Sequence, residues 1–237
     1  AGAVALPNLS LGKALELFFD LNLGMLPYLP LALLGAVAAP LVQIASGRQA
    51  RPLVALWAVL LGMALICSSS GNWNHGTSGP SRYTIWMLPL VLVILASMLE
   101  PGATNERTRR AFGGWAVAAL AVQAVIVVSR GGLAPRLDYL EHSYLASFVL
   151  KHAPALYNPT PEIFVERTIG EEMRDGEISS GGTAVAYAPE QACRKALAQK
   201  RHWPDLLARC GSAAHQPPFD ALAAANRRDE WVYVDYP

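Results

Sequence analysis

Apolar and polar positions fall in blocks along this chain. Four uncharged stretches, 26–45, 53–70, 83–99 and 111–129, are separated by short polar connectors, and beyond residue 130 the blocks give way to a mixed, charged pattern. Such stretches approach the ~20 apolar residues that take a helix across a hydrocarbon core of about 30 Å, so the pattern predicts four spans. Ahead of them, Leu15, Leu17, Phe18 and Phe19 make an apolar side that Lys13, Glu16 and Asp20 interrupt, with Ser10 placed as an N-cap. This segment reads as an interfacial or re-entrant helix. Pro27, Pro30 and Pro40 predict kinks in the first span, and Gly35 with Ala39 is a small-xxx-small pair suited to close helix contact. Further on, the spacing predicts an amphipathic helix over Leu137–Lys151 behind a Gly131–Gly132 hinge. Pro159 and Pro161 predict an extended path over Tyr157–Phe164. Thr183–Tyr187 and Trp231–Asp235 read as strands, and Glu190–Gln199 and Pro204–Cys210 as helices.

The expected fold is therefore mainly α, a four-span transmembrane helical bundle with a small extracytoplasmic α/β tail. Residues 1–25 form the interfacial segment, 26–130 the four transmembrane helices and 131–237 the tail. Composition agrees with a membrane class, since 53% of residues are hydrophobic and 16% charged, where an average soluble domain is nearer a quarter charged. The net charge of +1 says nothing about nucleic acid, and with no long basic run to support that partner none is expected. Arg48, Arg51, Arg107, Arg109 and Arg110 crowd two connectors, while the loop 71–82 between them carries Arg82 alone. By the positive-inside rule that loop and the tail face outward, which suits a multi-pass protein of a bacterial inner membrane with a periplasmic tail. Cys193 and Cys210 lack metal-ligand spacing, and in that compartment a disulfide between them is permitted but not required. Cys67 reads as a small apolar residue within a span. The chain opens without an initiator Met or a signal segment, and is expected to be part of something longer.

No phosphate-binding glycine loop, nucleophile elbow or metal-ligand spacing is present, so no metal or cofactor is expected. Two outward-facing groups remain. One is the loop and helix start carrying Asn72, Asn74, His75, Ser81, Arg82 and Tyr83, where a guanidinium would meet a lipid phosphate. Its bland reading is a solvated histidine beside ordinary interface anchors. The other is Asp20 with Asn22, a carboxylate that could orient a sugar hydroxyl or a cation, or simply cap a turn.

These same residues bear a resemblance. LFFDLNLGMLPYLPLALLG (residues 17–35), GPSRYTIWMLPLV (79–91) and YNPTPEIFVERT (157–168) resemble phrases at the span edges of bacterial GT-C class membrane glycosyltransferases, of the protein mannosyltransferase and lipid A aminoarabinose transferase kind. The resemblance implies transfer of a sugar from a polyprenyl-phosphate carrier to an acceptor on the outer face, with membrane lipids and the missing N-terminal part of the same protein as partners. It implies Arg82 as a phosphate contact and Asp20 at the pocket edge, with His75, Asn74 and Tyr83 beside them. In that class the catalytic base is an acidic residue of the first outward loop; nothing here matches it, so this portion alone is expected to be inactive. The alternative is a non-enzymatic four-span scaffold whose periplasmic tail binds a partner. A transporter fits less well, because no stretch carries a charge within it.

Overall fold

The computed structural model describes residues 9–70, 80–100, 104–129, 140–172, 184–199, 202–211 and 231–236. The chain divides into two compact units, one built from the described residues up to Ser129 and one from those beyond 137. His75, Asn74 and Asn72, the Gly131–Gly132 hinge, Leu137 and Thr183 lie outside the described residues.

The first unit holds five helices: α1 (Leu11–Phe19), α2 (Pro30–Ala45), α3 (Arg51–Cys67), α4 (Arg82–Ser97) and α5 (Glu106–Ser129). Ser10 caps α1 as expected, its hydroxyl accepting from Lys13 N, while its own amide donates to Ser68 Oγ at the end of α3. Packing centres on α2, which meets α3, α4 and α5. Its packed side is Ala32, Gly35, Ala36 and Ala39, small residues that let neighbouring helices approach. Gly35 has no room for a methyl group, since a Cβ there would stand 2.8 Å from Trp115 Nε1 and 2.9 Å from Leu95 Cδ2. The opposite sides are apolar too. Leu41 and Ile44 of α2, Val54 and Ile66 of α3, and Trp86 and Leu92 of α4 are all exposed.

Four spans are not present. Among the described residues, α5 alone is long and apolar enough to cross a bilayer, with 24 residues and a mean hydropathy of 2.1. The others have 16, 17 and 16 residues, which at ~1.5 Å each is roughly 24–26 Å against a core of about 30 Å. Local chemistry sets these lengths. Pro30 at the first helical position starts α2 late, within the stretch that begins at residue 26. At the other end of α3, the Ser68 and Ser69 hydroxyls take the Leu65 and Ile66 carbonyls at 2.7 and 2.8 Å and the helix stops at Cys67.

The second unit places a three-stranded antiparallel sheet between helices. Its strands, β1 (Val185–Tyr187), β2 (Lys195–Gln199) and β3 (Trp231–Asp235), lie in that order, with Ala196 opposite both Ala186 and Val234. On one face α8 (Trp203–Cys210) sets Leu206 among Ala186, Ala196, Ala198 and Val234. On the other, α7 (Pro161–Ile169) brings Phe164 edge-on to Tyr233, ring centroids 5.3 Å apart. Cys193 and Cys210 are joined as a disulfide with Cα atoms 5.6 Å apart, tying α8 to the start of β2. The amphipathic helix, α6, runs over Tyr144–His152, later than the spacing predicts.

Two expectations for this unit are corrected. Glu190–Gln199 is not a helix but a short 3₁₀ turn followed by β2, all five of whose residues are buried. Tyr157–Thr160 is extended, but Pro161 opens α7 rather than prolonging the extended path, because a proline lacks only a donor that the first helical turn does not use.

Candidate functional site

In the first unit the turn after α1 meets the start of α4. After α1 the chain turns sharply, and Asp20 accepts from the amides of Asn22 and Leu23 through one carboxylate oxygen, Oδ1, at 2.7 and 2.9 Å. Gly24 is required in this turn, because a Cβ would stand within 2.7 Å of Asp20 N, Asp20 O and Glu16 O, all backbone atoms that cannot yield. The turn is then clamped to the start of α4. Ser81 N donates to Leu23 O at 2.9 Å, and the buried Thr84 hydroxyl donates to Leu17 O at 3.0 Å and to Leu23 O at 3.4 Å. From the far side Tyr28 donates its hydroxyl to Asn22 O at 2.7 Å.

This joint positions the residues singled out in the sequence. Asp20 is buried, and one of its two carboxylate oxygens is bonded to backbone amides. Ser81 caps α4, its hydroxyl accepting from Tyr83 N. Arg82, the first residue of α4, is exposed, its guanidinium carbon 5.6 Å from the centre of the Tyr83 ring. Tyr83 turns inward, with Trp86 set edge-on to it at 5.1 Å. Asp20, Arg82 and Tyr83 thus stand on adjoining elements at one end of the helical unit, with a guanidinium outermost. A cation at a helix start beside a capped turn can hold an anion.

The second unit holds a group that no sequence signal marked. Lys195 of β2 is fully buried, donating to Asp235 Oδ1 at 2.5 Å and to the Pro154 carbonyl at 2.7 Å, with its ammonium 5.1 Å from the centre of the Tyr233 ring. Burial pulls its pKa down and the Asp235 carboxylate opposes that fall. It ties β2, β3 and the 154–156 turn together. Beside it a groove of about 370 Å³ is lined by Lys151, His152, Leu156, Arg194, Asp235 and Tyr236 among others. Lys151 pairs with Glu190 at 2.6 Å, which together with the Lys151 charge holds the Glu190 carboxyl below its ordinary range. In this turn Glu190 and Gln191 have φ of 58° and 68°, conformations that residues with a side chain seldom adopt. The half-buried imidazole of His142 accepts or donates at Thr168 Oγ1, 3.0 Å away, and packs edge-on to Tyr187. Burial first, and the Arg167 charge second, push its pKa to about 3, so it is neutral at ordinary pH.

Among the described residues no group of three His, Cys, Asp or Glu stands close enough to hold a metal ion. Comparisons of the chain with family models, curated proteins and solved structures found no match.

Proposed function

We propose that this chain is part of a membrane-embedded glycosyltransferase that moves a sugar from a polyprenyl-phosphate carrier to an acceptor at the outer face of a bacterial inner membrane. One observation carries the reading. The two phrases most like that class, LFFDLNLG and PSRYT, are joined by hydrogen bonds across 58–67 positions of sequence, with Arg82 exposed where they meet. A guanidinium at a lipid-facing helix start is chemistry suited to a carrier phosphate.

The membrane placement has its own support. No part of the apolar window of α5 is buried, which favours contact with lipid, and its uncharged stretch 111–129 rises roughly 29 Å, the thickness of a hydrocarbon core. Arg107, Arg109 and Arg110 at its start favour a cytoplasmic N-terminal end. The second unit then lies in the outer compartment, where a disulfide such as Cys193–Cys210 persists.

The experiment is transfer from, and binding of, a polyprenyl-phosphate sugar by the full-length protein in lipid nanodiscs. Arg82→Ala should weaken carrier binding about tenfold or more, the scale of a lost charge-assisted contact, with expression unchanged. Asp20→Asn, which keeps an oxygen for the two amides, should preserve the fold. Equal carrier binding by Arg82→Ala and the parent, or no transfer by the parent, would defeat the proposal.

A further inference from the structure

Most of the exposed large apolar side chains described in the second unit gather in one place. Among its described residues the exposed large apolar side chains are Tyr144, Leu145, Phe148, Leu156 and Ile169, and all but the last lie on α6 or the turn that follows it. Tyr144 and Phe148 are one helical turn apart, 72% and 62% exposed, and Leu156 is 82% exposed. Leu156 also lines the groove beside Lys195. Within that groove Lys151 is taken by Glu190 and Asp235 by Lys195, whereas the Arg194 guanidinium, whose charge is felt at the Glu190 carboxylate, makes no ion pair among the described residues. A ridge of exposed aromatic and aliphatic side chains thus borders a cationic recess.

We propose that this face docks on an anionic bilayer, with Tyr144, Phe148 and Leu156 entering the headgroup layer and Arg194 taking a lipid phosphate. Aromatic side chains settle at the water–lipid interface and a cation beside them meets the phosphate plane, the pairing that peripheral membrane contacts use. A free phosphate would make no use of the ridge. The inference rests on α5 lying in the bilayer. With α5 ending at Ser129 and α6 starting at Tyr144, the chain between them reaches at most about 50 Å at ~3.3–3.6 Å per residue. The ridge is therefore held near the membrane, and a weak interfacial affinity is enough to seat it.

The test uses the full chain in nanodiscs, in a Cys67→Ser background, with a nitroxide label at one of four positions: Phe148→Cys, Leu156→Cys, Val125→Cys in α5, or Glu172→Cys, which is exposed and outside both ridge and groove. Power-saturation spectra compare access to oxygen with access to a water-soluble nickel chelate. In phosphatidylglycerol discs, labels at 148 and 156 should resemble the one at 125 and not the one at 172. Arg194→Gln should lower the docked-to-undocked ratio about fivefold, the worth of one basic residue at an anionic surface. Phosphatidylcholine should lower it as well. Water-exposed labels at 148 and 156 beside an immersed label at 125 would overturn this inference alone. A water-exposed label at 125 would overturn the membrane reading and this inference with it. Labels at 148 and 156 with low access to both oxygen and the chelate, alike in phosphatidylglycerol and phosphatidylcholine, would overturn it in favour of a protein partner. Docking indifferent to Arg194 and to lipid charge would overturn the phosphate contact.

Discussion

Pro40 removes one amide donor from the interior of α2, and the carbonyl this strands, that of Ala36, accepts instead from the Trp57 indole at 3.0 Å. Trp115 makes a similar link, donating to Leu31 O at 2.8 Å across the space that Gly35 leaves open. Read along the chain, both tryptophans look like interface markers near the ends of apolar stretches; only the packing shows that they fasten α3 and α5 to α2. Trp57→Phe should therefore cost about 1–3 kcal/mol, the cost of a buried carbonyl left without a donor. Thermal unfolding in detergent would measure it, with Trp86→Phe on the exposed side of α4 changing little. His142 allows a second prediction. Its pKa falls from 6.5 to about 3 on folding, so between those values the unfolded chain takes up the proton and the folded one does not. Stability attributable to it is complete above pH 6.5 and is lost as pH falls toward 3, by up to about 1.4 kcal/mol per unit. His142→Phe, which keeps the ring contact with Tyr187, should flatten that part of the pH–stability curve relative to the parent.

Elements with a local cause were legible and those with a tertiary cause were not. Ser10 before α1 and Pro204 in α8 are local signals, and both helices stand where the residues place them. β2 is the contrary case. Ala, Lys and Gln are good helix formers, and Glu190–Gln199 reads as a helix, yet its residues from Lys195 onward are enclosed by β1, β3, α7 and α8, and burial between strands outweighs a propensity of a few tenths of a kcal/mol per residue. The same enclosure hid Lys195, since a lone lysine in such a stretch looks like a solvated residue until Asp235 and the Pro154 carbonyl are brought around it. The cysteine pair could be noticed in the sequence but not joined, because its geometry depends on β2 being a strand. The bridge closes a separation of 17 residues, so replacing both cysteines by serine should cost about 3 kcal/mol on the chain-entropy estimate. The loss should show first as faster amide exchange in α8, with the α1–α5 helices unaffected.

For the molecule as a whole, hydropathy located four apolar blocks but could not supply their lengths as helices, which Pro30 and the Ser68–Ser69 hydroxyls set. On the membrane placement proposed above, the burden of crossing a bilayer falls on α5, and the prediction at this scale is correspondingly sharp. Leu120, 72% exposed near the middle of α5, would place an arginine deep in hydrocarbon, at about 2.5–3.5 kcal/mol on insertion scales. Ala111, beside the basic start of the helix, would let the same side chain reach the headgroups. Leu120→Arg should thus lower the inserted fraction measured by glycosylation mapping or alkaline extraction by an order of magnitude or more, and Ala111→Arg should leave it near the parent value. If the two arginines behaved alike, the exposed apolar side of α5 would be covered by protein instead of lipid. The compartment assigned to the second unit, and the membrane site proposed for Arg82, would then have to be abandoned together, since both depend on the direction in which this helix crosses.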